Sequence, residues 1–158
     1  MSPLIQEINR LLQSDLDDVI LNAGYQNALP ALDEYRQQME EYLDVLRDMI
    51  KTLGKGAQRL RRKQRQFEDM SAEADRSARQ FLQEGQEELV RAAYARKRIM
   101  QLASEAYQEE ADWQNARFLV LMDAKLRLEA RLTEVAQRSA AMQMRETRDN
   151  GALLQAVA

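Results

Sequence analysis

Neither histidine nor cysteine occurs among the 158 residues. The usual general base and the commonest metal-ligating ring are therefore missing. Thiolate nucleophiles, disulfides and cysteine-based zinc sites are missing with them. Carboxylates remain, and Glu109 and Glu110 stand side by side. Neighbours on a helix point apart, however, and nothing around this pair marks a pocket. No catalytic, metal-binding or cofactor-binding residue is assigned, and the chain reads as a non-enzyme. Its chemistry is expected to be that of charge and apolar surface, concentrated in two places.

The first place is "RLRRKQR", residues 59–65, with five positive charges and no negative one in a chain of net charge −3. Clustered Lys and Arg release counterions from polyanions, so a nucleic-acid or lipid-headgroup patch is one reading. The other is a solvated helix flank whose cations face acids elsewhere in the chain or on another subunit. The acidic net balance argues against nucleic acid as a partner.

The second place is the first twenty residues. Leu4, Ile5, Ile8 and Leu11 share one helical face with Leu12, Leu16, Val19 and Ile20, while polar residues hold the other. Such a helix lies in a membrane interface or packs on a protein surface, so these eight residues form the candidate membrane- or partner-binding face. The polar side carries Arg10 alone against Glu7, Asp15, Asp17 and Asp18. Attraction to anionic lipid would be weak or adverse, leaving insertion by apolar area.

Helices must position both features. Ala, Leu, Gln, Glu and Arg dominate, with 2 prolines and 5 glycines, and straight-chain residues lose little freedom in a helix. No apolar run approaches the roughly 20 residues that span a bilayer, and a signal-peptide pattern is lacking. The expectation is a soluble, intracellular, all-helical protein. Leu32, Met39, Leu46, Leu53, Leu60, Phe67, Ala74 and Phe81 recur every seven residues. A second column reads Ala93, Met100, Tyr107, Gln114, Leu121, Leu128, Val135 and Met142, flanked by Ala92, Ile99, Ala106, Trp113 and Val120. Sustained seven-residue spacing implies a supercoiled seam facing a partner helix.

Gly85 supplies the reversal, since glycine tolerates the left-handed conformation that ends helices, and Glu87 and Glu88 suit the positive end of the next helix. The fold class is therefore all-α, a long antiparallel helical hairpin (a coiled coil) preceded by a short N-terminal amphipathic helix. The expected segments are that helix over 1–24, the hairpin over 28–148 with its tip near 83–86, and a flexible tail over 149–158. Folding at the tip sets Arg59, Arg61, Arg62, Lys63 and Arg65 against Glu105, Glu109 and Glu110. It also brings Arg96, Lys97 and Arg98 near Asp69, Glu73 and Asp75, and Glu34, Glu40, Glu41 and Asp44 near Arg127, Arg131 and Arg138. Exposed pairs contribute about 0.2–1 kcal/mol each, so they select register or subunit contacts more than stability. Gly54 and Gly56 interrupt the first arm opposite Trp113, either to admit the indole or to form a hinge.

"QEGQEELVRAAYARKR" (residues 83–98) resembles the "xxGxEDLARxALxxK" stretch that follows the hairpin tip in the phage-shock protein A family. That family includes the vesicle-inducing protein of plastids and belongs to the ESCRT-III superfamily. Gly85, Glu87, Glu88, Leu89, Arg91, Ala92 and Ala93 carry the likeness. "LQSDLDDVI" (12–20), "MEEYLDVLR" (39–47) and "LRRKQRQ" (60–66) are similar to the family's "xxANLNxLL", "MEDxLxxxR" and "LxRRIxE". The family's Asp-Pro turn after the first helix is absent, and its further C-terminal helices have no counterpart before Ala158, as in a short member or a truncated form.

The resemblance implies a self-assembling membrane-remodelling scaffold active in envelope stress, at the inner face of the cytoplasmic membrane. It would form homo-oligomers or co-polymers with longer relatives, and contact membrane lipid. The same family inhibits an AAA+ transcriptional activator, so the alternative it implies is a soluble coiled-coil adapter holding such a protein partner. No cofactor is implied.

Overall fold

Helices end where their last carbonyls find other donors, and a glycine at positive φ allows the tightest such ending. A computed structural model of the protein describes residues 2–157. Those residues form α1 (Pro3–Gln13), α2 (Leu16–Ala23), a 3₁₀ turn (Tyr25–Asn27), α3 (Ala28–Gln83) and α4 (Glu87–Val157). Between α3 and α4, Gly85 takes φ 72°. Its N–H donates to the Leu82 carbonyl, and the Gln86 N–H donates to that of Phe81. These two bonds make a Schellman motif. Glu87 and Glu88 then fill the first turn of α4, where the helix dipole favours negative charge. The chain reverses there as the sequence predicts, and the fold is an all-α antiparallel hairpin.

Two expected boundaries move. Residues 1–24 form two helices, because Ser14 and Asp15 are extended, with ψ 126° and 148°. A Ser-Asp pair followed by Asp17 and Asp18 is a helix-start pattern, and here it interrupts the continuous apolar face. At the other end α4 runs through Gly151 to Val157, so residues 149–157 are helical rather than a tail. Ala152, Leu153, Leu154 and Gln155, all strong helix formers, follow Gly151 and offset its cost of about 1 kcal/mol. Met1 and Ala158, the ends of the expected first and last segments, lie outside the described residues.

The chain divides into two compact units. The first contains the residues up to Met49 and those from Val120 onward. Its core is large and aliphatic: Ile8, Leu32, Met39, Leu46, Leu128 and Val135 are almost fully buried. All but Ile8 come from the seven-residue columns, and each such side chain contributes about 1.5–3 kcal/mol on burial. Side chains of α3 and α4 reach the backbone of α1 here, as described below, so α1 and α2 belong to this packed body.

The second unit spans Ile50–Leu119. Its seam is built from small residues, with Ser71, Ala74, Ala78, Ala93, Ser104 and Ala111 buried. Phe67 and Tyr107 add one stacked pair, with centroids 5.5 Å apart and planes 13° from parallel. Lys97 Nζ reaches Asp75 Oδ1 at 2.8 Å across the hairpin.

Candidate functional site

The apolar face of the first twenty residues is already covered. Ile5, Ile8 and Leu16 are buried, while Leu4, Leu11, Leu12, Val19 and Ile20 are half-buried. In this conformation the face lies against the chain's own hairpin rather than in solvent. The break after Gln13 leaves the last carbonyls of α1 without helical partners, and two side chains supply donors. The Tyr35 hydroxyl donates to the Leu11 carbonyl at 2.8 Å. Arg131 donates to the carbonyls of Leu12 (3.1 Å) and Ser14 (2.6 Å), and to the Tyr35 hydroxyl at 3.2 Å.

Burial raises the Tyr35 pKa, against the opposing pull of Arg131, so the hydroxyl stays protonated and able to donate. Midway along α1, Tyr42 donates to Glu7 at 2.9 Å, and this bond raises the Tyr42 pKa. Arg127 donates to Asn9, and Arg138 pairs with Asp17 at 2.9 Å. Tyr35 carries no signal of this role in the sequence, and the hairpin register sets Arg131 against acids of α3. Neither lies in a motif, because the carbonyls they serve exist only where the helix breaks.

The expected charge register is realised in one block out of three. Lys97 and Asp75 meet as predicted, and Arg79 also pairs with Asp75 at 3.0 Å. The hydrogen bond from Lys97 holds the Asp75 carboxyl below its ordinary pKa, with help from the charges of Arg79, Lys97 and Arg76. Arg127, Arg131 and Arg138 face the N-terminal helices instead of Glu34, Glu40, Glu41 and Asp44, since α1 and α2 occupy that ground. Arg36 meets Asp33 and Glu40 along its own helix.

The third block does not pair at all. Arg59, Arg61, Arg62, Lys63 and Arg65 are exposed, as are Glu105, Glu109 and Glu110. Among the described residues, no ion pair joins the two sets. Arg59, Arg62 and Lys63 line an open groove with Gln66. Exposed side chains gain too little from such pairing to hold a shared geometry.

Gly56 faces Gln114, not the indole. A Cβ at Gly56 would lie 2.8 Å from Gln114 Oε1, whereas one at Gly54 would meet nothing within 4 Å. Trp113 is 53% exposed, with the Arg117 guanidinium 4.8 Å from its ring centroid. The indole therefore does not fill the space left by the glycines. Ala92, Ile99, Ala106 and Val120, expected beside the buried column, are exposed as well.

The Gly85 tip with Glu87 and Glu88 is exposed. Among the described residues no helix is long and apolar enough to cross a membrane, and no group of three or more acids is placed to hold a metal ion. The chain matches no protein-family model and no curated protein.

Proposed function

We propose that the protein is a non-enzymatic scaffold that assembles through its hairpin and acts at membranes, in the manner of the phage-shock protein A family that its sequence resembles. The observation that carries this reading is the charge left over on the second unit. Five cations between residues 59 and 65 and three acids between 105 and 110 are exposed without each other, and they complement one another from copy to copy. Assembly makes weak contacts additive, so a first helix with an acidic polar side can still hold a bilayer through avidity.

Sedimentation velocity of the full chain, with and without phosphatidylcholine vesicles, tests it alongside negative-stain imaging. Salt-sensitive large assemblies that bring vesicles down are expected. A discrete small species that ignores vesicles overturns the reading.

One observation favours a second reading, a soluble adapter for a protein partner such as an AAA+ activator. The apolar face of α1 and α2 is folded onto its own hairpin, and that arrangement suits a regulator that needs no bilayer. Under this reading the vesicles have no effect and a partner binds the chain with α1 still docked.

A further inference from the structure

The second unit carries an apolar seam that its own fold does not use. Along α4, Ala92, Ala95, Ile99, Leu102, Ala106 and Trp113 follow a three-four spacing, interrupted at Glu109. All six are exposed; Ile99 is 61% and Leu102 49% accessible. The residues that α4 turns toward α3 are a different set, led by Ala93, Ser104 and Ala111. Two faces of one helix thus have coiled-coil periodicity, and only one is occupied.

The charges beside the open seam say what fits it. Arg91 and Arg98 flank its first half, and Glu105 and Asp112 flank its second half on the same side. Among the described residues, none of the four forms an ion pair. A parallel copy in register would set like against like. An antiparallel copy centred between Ile99 and Leu102 sets Ile99 against Leu102 and Ala95 against Ala106. It also brings Arg98 to Glu105 and Arg91 to Asp112, each twice by symmetry. The small Ala95–Ala106 layers let the helices approach closely around the larger central pair. A two-fold contact of this kind is self-complementary and closes on itself.

We infer that the exposed seam of α4 around Ile99 and Leu102 is a docking surface for a second copy of this chain, antiparallel and two-fold symmetric. The inference rests on the reading that copies assemble, and it names the surface that joins them in pairs.

Sedimentation of the full chain and cross-linking test it. Leu102→Asp, at an exposed position, keeps its helical circular dichroism and weakens pairing at least ~10-fold, as loss of a central interface anchor does. Arg98→Glu weakens pairing, and Arg98→Glu with Glu105→Arg restores it, because the exchange rebuilds both pairs. The chain has no cysteine, so Ala95→Cys mixed with Ala106→Cys forms a disulfide between copies, while neither does so alone. Disulfides from Ala95→Cys by itself, or assemblies untouched by Leu102→Asp, overturn the interface and leave the assembly reading standing. A wild-type chain that stays monomeric at all concentrations overturns both.

Discussion

At the scale of single residues, Arg131 and Lys97 show how position decides the worth of a charge. Arg131 is one-fifth exposed and satisfies two carbonyls at the break between α1 and α2. Hydrogen bonds from a charged group contribute about 1.5–3 kcal/mol. Arg131→Ala should therefore lower stability by roughly that amount, and Tyr35→Phe by about 0.5–1.5 kcal/mol. Urea denaturation measures both, and hydrogen exchange should show the loss concentrated in residues 3–23. Lys97 acts through Asp75. Because the Asp75 pKa is lowered in the folded chain, the fold binds fewer protons there than the unfolded chain does. The stabilisation is then complete above the ordinary carboxylate range and fades as pH falls through the lowered value. Lys97→Met should be less stable than wild type at pH 7, with the gap closing on acidification. A gap that stays constant into strong acid would mean that Lys97 acts by packing alone.

At the scale of elements, the hairpin was legible because its signals are local and repeated. Leu32, Met39, Leu46, Leu128 and Val135 recur at seven-residue intervals and end in the core, and Gly85 sits where only a positive φ closes the turn. What sequence could not give was competition between elements. The break at Ser14–Asp15 carried an ordinary capping signal, but a continuous apolar face masked it. Likewise Ala92, Ile99, Ala106 and Trp113 share a periodicity with the inner column, and only the packing of α3 decides which column is covered. The glycines sort by the same logic. Gly24, at φ 79° and ψ 154°, joins α2 to the 3₁₀ turn in a region nearly closed to other residues. Gly24→Ala should cost about 1–3 kcal/mol, and Gly85→Ala about 1–2 kcal/mol. Gly54 has no such role: it is helical, with open space around a prospective Cβ. Gly54→Ala should raise stability by up to ~1 kcal/mol. Gly56→Ala should gain less, because Gln114 must swing aside, and adding Gln114→Ala should recover the difference. Thermal melts of the four single variants and the double one check the ranking.

At the scale of the whole chain, the functional question is what becomes of the stowed N-terminal face. A bilayer could take Ile5, Ile8 and Leu16 only after α1 and α2 leave the first unit, so under the scaffold reading lipid binding and docking of α1 would compete for one surface. A ligand shifts such an equilibrium by its differential affinity for the two states, and anything that weakens the docked state raises apparent affinity for the other. Arg131→Ala removes donors that serve only the docked state and leaves the eight apolar side chains intact. If the scaffold reading holds, this variant should bind phosphatidylcholine vesicles at least about 10-fold more tightly than wild type, the factor that corresponds to about 1.4 kcal/mol. Small vesicles, whose packing defects admit apolar side chains, should show the larger effect, and added anionic lipid should not help, given Glu7, Asp15, Asp17 and Asp18 around Arg10. Ile8→Ala acts on both states. It loses apolar area in the bilayer while costing about 2–5 kcal/mol in the folded core, so the two effects offset and its vesicle binding should rise less than that of Arg131→Ala. Flotation of the two variants beside wild type separates the readings. Tighter binding by Arg131→Ala is the signature of a face held in reserve for membranes, whereas indifference of all three proteins to vesicles makes docking of α1 the working state and returns the function to a soluble adapter.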